Sequence, residues 1–377
     1  MAQLDPRWQH ARRVLVVRLD NLGDVLVTTP AIHAIREALP HAQITLLASP
    51  LGAQVGRLNP DLDDVIVYEA PWVDPWCRLP HDSAREQAMI ARLRAGQFDG
   101  AIIFTSFRQS ALPAAYLCYL ADIPLRAAAS VDAAGSLLTT RHKHPQRMMH
   151  EVERGLDLVG ALDMHTADRD LVLRVPAAAR ADAHAWLTAH GARQPLIVLH
   201  PGCTMPARTY PWEQFAAVAE LAIRQLGASV VLTGSAGEAE LVARIHQRIE
   251  RRARAAALPC AGELSFAAFC ALIETADLVI TNNTGPMHIA AALKTPVVAL
   301  FALTNPPEQW GPWRAPHRLL FHDVPCRICY SRICPHSHEC LRLVTPAMVL
   351  AAAEELLAAR GATADALTHA ALEGVQP

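Results

Sequence analysis

Residues 14–35 read VLVVRLDNLGDVLVTTPAIHAI, and their pattern changes once, from an unbroken apolar run to a helical spacing. Val14 to Arg18 has the continuous hydrophobic character of a strand covered on both faces, whereas Val25 to Leu39 spaces its apolar residues as a helix does. The segment between them, ending in Gly23, must turn the chain sharply, so Asp24 stands at the carboxyl end of the strand and the start of the helix. An acid there has an ordinary structural use, since the helix dipole stabilises it by a few tenths to about 1 kcal/mol. It also has a chemical one, because ligands of open α/β sheets bind outside the carboxyl ends of the strands.

Working outward, the alternation continues. Gln43 to Ala48 (QITLLA), Asp64 to Tyr68 (DVIVY) and Phe98 to Phe104 are strand-like, and residues 71–86, rich in Pro and Trp, read as an ordered loop. Glu151 to Ala161 reads as a helix, Asp170 to Val175 as a strand and Ala177 to His190 as a helix. A second series follows, with strands in LIVLHPG (196–202), SVVLTG (229–234), DLVITNNTG (277–285) and PVVALF (296–301), and helices from Trp212 and Glu238. Strands alternating with helical patterns imply βαβ units and parallel sheets.

The 377 residues exceed one core at roughly 100 to 200 residues per domain. The expected fold class is therefore α/β with two Rossmann-like, doubly wound domains facing across a cleft. Residues 1–190 form the first domain, 191–345 the second, and 346–377 a helical tail packing back on the first. A formal net charge of -2 excludes a global field for nucleic acid. Residues 1–24 carry no apolar run long enough for a signal peptide, and nothing reads as a membrane span. The expectation is a cytoplasmic protein whose nine cysteines are thiols or metal ligands.

Four further segments carry chemistry. In ADLVITNNTGPMHIAAAL (276–293) an apolar strand ends in Asn-Asn-Thr-Gly before a helix near Pro286, so the N–H groups of Thr284, Gly285 and Met287 are placed to converge on a diphosphate. The stretch LHPGCTMPARTYPW (199–212) again runs from strand through a glycine turn to a helix, with Arg208 in the loop. Cys326, Cys329, Cys334 and Cys340, spaced C-x2-C-x4-C-x5-C, suit a tetrahedral zinc or iron ion or four reduced thiols; His336 and His338 are alternative ligands. The segment RHKHPQR (141–147) gathers Arg141, Lys143 and Arg147, either as a solvated loop or as a site for anions. Asp61 and Asp63 precede a strand at a corner and are not read as metal ligands.

Taken together, RLDNLGDVLVTTPAI, PGCTMPARTYPW, LTGSAGEAELVARI and ITNNTGPMH resemble the motifs of glycosyltransferase family 9, the ADP-heptose:lipopolysaccharide heptosyltransferases, over nearly the whole chain. The resemblance implies a GT-B fold and an inverting transfer, with Asp24 as the general base. It implies donor binding by Arg208, Glu238 (with Glu240 a near alternative), Asn283, Thr284, Gly285, Met287 and His288. Two positions depart from the family pattern. Asn283 stands where the family usually has Asp, and Tyr210 where it has Trp, so the donor sugar is left open.

The chemistry fits these roles. A sugar hydroxyl must lose its proton as it attacks the anomeric carbon, and a departing diphosphate gains charge that a fixed cation stabilises. The resemblance further implies heptose transfer from ADP-L-glycero-D-manno-heptose to a lipopolysaccharide inner-core acceptor, with no cofactor required for catalysis and any zinc or iron on the cysteines structural. Arg141, Lys143 and Arg147 would meet the phosphorylated, lipid-linked saccharide acceptor. The partners are then a nucleotide-sugar donor, that acceptor and a peripheral contact with the inner membrane, with no nucleic acid. The competing expectations are a same-fold glycosyltransferase with another nucleotide sugar or acceptor, and a non-catalytic nucleotide-sugar-binding protein.

Overall fold

A computed structural model describes residues 6–74, 76 and 78–373, with side chains described as far as Arg360. Pro75 and Cys77, within the expected loop at 71–86, lie outside the described residues, as do residues 374–377 of the expected tail. The chain divides into two compact units, Met1–Arg174 and Val175–Pro377.

The first unit runs α1 (Pro6–Gln9), β1 (Arg13–Arg18), α2 (Leu22–Ala38), β2 (Gln43–Ala48), α3 (Pro50–Gly56) and β3 (Asp64–Val67). It continues with α4 (Ser83–Ala95), β4 (Gly100–Ile103), α5 (Leu112–Leu120), β5 (Leu125–Ala129), β6 (Thr140–His142) and α6 (Glu151–Gly160). Its six strands are all parallel in the order β3-β2-β1-β4-β5-β6, with Val14 opposite Ile44 on one side and Gly100 on the other. Because both faces are covered by helices, β1 carries the buried run Val14, Leu15, Val16 and Val17, which is why its sequence does not alternate. α2 starts three residues earlier than its apolar spacing suggests, at Leu22, with Asn21 as N-cap. The strand expected at Asp170 to Val175 is not one: these residues join neither sheet, with Val172 N–H bonded to the Thr29 hydroxyl and Arg174 N–H to the Leu58 carbonyl.

The second unit contains α7 (Ala177–Ala189), β7 (Leu196–His200), α8 (Trp212–Leu226), β8 (Ser229–Gly234), α9 (Ala239–Arg248), β9 (Ala257–Ala261) and α10 (Phe266–Thr275). β10 (Leu278–Asn282), α11 (Gly285–Ala292), β11 (Val297–Leu300), α12 (Pro307–Trp310), β12 (His317–Leu320), α13 (Glu339–Arg342) and α14 (Pro346–Glu373) complete it. The strand order is β12-β11-β10-β7-β8-β9, the first unit's order repeated on a new set of strands. α7, placed in the first domain by the sequence reading, packs on α10 of this unit. α14 packs on α8 and along β10 to β12, where Val349, Ala353 and Leu356 join the core of Phe215, Val218 and Leu300.

Candidate functional site

A doubly wound sheet has one place where successive crossovers leave in opposite directions, and the crevice there is its natural ligand site. In the first unit that place lies between β1 and β4, and in the second between β7 and β10. The candidate residues concentrate at these two points.

At the first, β1 delivers Arg18 and the turn into α2 delivers Asp24. Asp24 Oδ1 accepts hydrogen bonds from Arg18 Nη2 at 3.2 Å and from the Ser106 hydroxyl at 2.9 Å, and Oδ2 accepts from the Asn21 backbone N–H at 3.1 Å. The Asp24 side chain is 14% exposed, so the carboxylate is fixed without being sealed. Ser106 follows β4, so both edges of the crevice hold the same carboxylate. Arg18 is buried between Asp24 and Asp20, its Nε 3.2 Å from Asp20 Oδ2. Burial works against its charge, but Asp20, Asp24 and Glu151 more than offset this and its pKa is raised. Burial also raises the pKa of Asp20, against the pull of Arg18, while Gln109 Nε2 donates to its Oδ1 at 2.6 Å.

Sequence reasoning missed Arg18, Asp20 and Ser106. A signal for Arg18 was present, since an arginine ending an apolar strand must meet a carboxylate if it is buried. Nothing in the sequence signals Ser106, 82 residues from its partner.

Arg141 and Lys143 are exposed on and just beyond β6, and Arg147 is exposed in the loop that follows. β6 is the third strand position from β1, about 14 Å away at the usual strand spacing, so the basic stretch does not border Asp24 directly. Asp61 and Asp63 tie a corner, Asp61 to His33 at 3.0 Å and Asp63 to the Ile44 N–H at 2.7 Å.

At the second switch point β7 ends in Pro201 and Gly202. A Cβ on Gly202 would lie 2.0 Å from Glu238 Oε1, so the Glu238 carboxylate is pressed against this turn and any side chain at 202 displaces it. Glu238 Oε2 accepts from the Ser235 N–H at 2.7 Å and its hydroxyl at 2.8 Å, whereas Glu240 is exposed on α9. Arg208 Nε donates to the Thr304 hydroxyl at 3.0 Å. Burial raises the pKa of Cys203 against the Met205 N–H, the Arg208 guanidinium and the Thr284 hydroxyl, which marks these groups as neighbours. Behind them His200 is held neutral, its pKa lowered by burial to about 4 against the pull of Glu238.

α11 begins at Gly285 with Thr284 as its N-cap. Of the three amides expected to converge on a diphosphate, two are engaged within the turn: Thr284 N–H bonds to the Asn282 carbonyl at 2.8 Å and Met287 N–H to the Thr284 carbonyl at 3.0 Å. The Gly285 amide is the one left at the helix start, because the first turn closes tightly on itself. Asn283 is buried; its Nδ2 donates to Asn305 at 3.1 Å and its Oδ1 accepts from the Ala302 N–H at 3.3 Å. His288 is also buried. Asn282 receives the Tyr210 N–H at 3.0 Å and donates to the Pro201 carbonyl at 2.9 Å, bracing the two loops against each other. Tyr210 is fully buried with its hydroxyl on the Val344 carbonyl at 2.7 Å, a packing role.

Cys326, Cys329, Cys334 and Cys340 line one small cavity with His336. Cys334 Sγ accepts the N–H groups of His336 at 3.4 Å and His338 at 3.3 Å. Among the described residues the thiols are not drawn within 4.8 Å of one another as a set; His142, His144 and Asp157 are the group that is.

The sequence and the fold have known counterparts. Residues 87–339 match the model of glycosyltransferase family 9 (heptosyltransferase). The chain is 30% identical to lipopolysaccharide heptosyltransferase 1 of Pseudomonas aeruginosa, over 86% of this chain and 88% of that one. Among solved structures, a family 9 glycosyl transferase from Veillonella parvula superposes with a TM-score of 0.75 at 24% identity, covering 92% of this chain and 97% of that one. E. coli ADP-heptose lps heptosyltransferase II gives 0.74 at 21% identity, covering 93% and 99%. With two Rossmann-ordered sheets, candidate residues at both switch points and a family match across two thirds of its length, the chain belongs to glycosyltransferase family 9 and is a glycosyltransferase of the heptosyltransferase family.

Proposed function

We propose that the protein transfers a heptose from ADP-L-glycero-D-manno-heptose to a lipopolysaccharide inner-core acceptor with inversion at the anomeric carbon. The observation that carries this reading is the Asp24 carboxylate at the β1–β4 switch point, aimed by Arg18, Ser106 and the Asn21 N–H in a chain of this family.

In the reaction an acceptor hydroxyl oxygen forms the new bond to the anomeric carbon and gives its proton to Asp24. The bond from that carbon to the phosphate oxygen breaks, and ADP leaves with the electron pair. The three hydrogen bonds hold the Asp24 carboxylate in one orientation, as a group that must meet a substrate proton requires. Arg208 and the Gly285 amide would hold the diphosphate, and Arg208 gains most as the leaving group charges. Glu238, against the Gly202 turn, would meet the ribose. His288 and Asn283 would act from beneath the site, since both are buried. Thr284 and Met287 would contribute mainly by shaping the turn.

Arg141, Lys143 and Arg147 would receive the acceptor's outlying phosphates rather than its reacting hydroxyl. A zinc or iron ion on the cysteines would be structural; two backbone N–H groups on Cys334 Sγ support that use. No described helix is long and apolar enough to cross a membrane, which fits a cytoplasmic enzyme reaching a lipid-linked acceptor by peripheral contact.

A second reading rests on Asn283. Its amide is already occupied by Asn305 and Ala302, so no carboxylate from this position meets the donor sugar, and a different nucleotide sugar would be tolerated. A non-catalytic binding protein is disfavoured by the built environment of Asp24. The test is ADP release from ADP-heptose with a heptose-deficient lipid acceptor, comparing the wild type with Asp24→Ala. Loss of release with donor binding retained supports the proposal. An inactive but folded wild type directs the search to other donors.

A further inference from the structure

We propose that His142, His144 and Asp157 form a binding site for a divalent transition-metal ion of the zinc type, which fastens the edge strand β6 to α6. His142 ends β6 and His144 lies two residues on; the two-residue period of extended chain turns both rings to the same side. Asp157 faces them from α6. His142 Nε2 lies 2.6 Å and His144 Nδ1 2.7 Å from the same carboxylate oxygen, Asp157 Oδ2. The rings stand edge to face with centroids 5.2 Å apart, so the two nitrogens reach that oxygen from different directions.

Two imidazoles and a carboxylate are a standard donor set for zinc, and three protein ligands leave one tetrahedral position for water or an anionic oxygen. With metal–ligand bonds of about 2.0–2.1 Å, ligand atoms of a tetrahedral site sit about 3.3 Å apart, so each N···O distance needs to open by only ~0.6 Å. The side chains are 19%, 13% and 26% exposed, dry enough to hold an ion and open enough to admit one. The nearby Arg154 has its charge met by Glu151 at 3.2 Å. β6 is a three-residue edge strand paired on one side by β5, the kind of element that a cross-link to a neighbouring helix secures. This site is separate from the cysteine cluster, which belongs to the other unit.

The experiment titrates the chelator-stripped full chain with Zn2+ alone by calorimetry, beside Asp157→Asn, His144→Gln and the His142→Gln/His144→Gln pair, each checked for fold by circular dichroism in chelator. The wild type is expected to bind one equivalent that the pair does not, and each single change weakens that event about tenfold or more. Zn2+ raises the melting temperature of the wild type more than that of the pair. Co2+ separates the thiols, since the absorption lost in the variants carries no sulfur-to-metal charge transfer. Equal stoichiometry and equal thermal shifts in wild type and pair overturn the proposal, as does a lost signal that bears thiolate character. Should the pair not fold, Asp157→Asn decides, because its amide keeps a hydrogen-bond acceptor toward the rings while losing the charge a metal requires.

Discussion

The two switch points share a topology and differ in charge. The one between β1 and β4 is led by a carboxylate: Asp24 is set in place by a buried arginine, a serine and a backbone amide. The one between β7 and β10 presents the cation Arg208, a glycine turn and the start of a helix, lined with the uncharged amides of Asn282 and Asn283. The first arrangement suits taking up a proton and the second suits holding an anion. The difference teaches that the strand order of a doubly wound sheet chooses where chemistry happens, while a few turn residues choose which chemistry.

The sharpest way to break this comparison is Asp24→Asn, which keeps the side chain's size, turns one acceptor oxygen into a donor and removes the proposed base. Turnover is expected to fall by about 10^2- to 10^4-fold with donor affinity unchanged, measured by ADP release and calorimetry. A comparable loss in donor affinity would show that the first switch point binds donor as well. Next is Arg208→Ala, expected to lower turnover about 10^2- to 10^3-fold, the size of one fixed charge-stabilising group. If Arg208→Lys restores nothing, the Thr304 contact rather than the charge is what matters.

A smaller effect is expected from Gly202→Ala, whose new methyl meets Glu238 Oε1 at 2.0 Å. Its stability should fall by about 2–3 kcal/mol in urea unfolding, and shortening the acid in Gly202→Ala/Glu238→Ala should recover part of that loss. The smallest expected effect concerns pH. His200 has a pKa near 4 in the fold against an ordinary 6.5, so the unfolded chain binds the extra proton first. Stability contributed by keeping it neutral is complete above about pH 7 and lost as pH falls from about 6.5 toward 4, amounting to about 2 kcal/mol at pH 5. Unfolding curves of His200→Gln between pH 7 and 5 should lack that slope; an unchanged slope would assign it to other groups.

Much of this molecule was legible in order of local signal strength. β1, β2, β7, β8, β10 and the turns at Gly23, Gly202 and Gly285 were readable because apolar runs and glycine turns are local features. Shorter and partly exposed elements such as β6, or the stretch at Asp170 to Val175, were read less well, since three to six residues carry no decisive period. The boundary expected at 190 illustrates the same limit: α7 is amphipathic, and nothing local says that its apolar face meets α10.

By itself, then, the sequence determined two α/β series, the placement of Asp24 at a strand end and the residues at a second such end, because backbone propensity and side-chain period act over a few neighbours. Tertiary structure alone decided the rest. It paired Arg18 with Asp24 and brought Ser106 across from β4, filled the amide of Asn283 with Asn305, pressed Glu238 onto Gly202, and joined His142 and His144 to Asp157. These contacts join residues set side by side by strand order and helix packing, and burial makes each polar group find a partner wherever the fold supplies one.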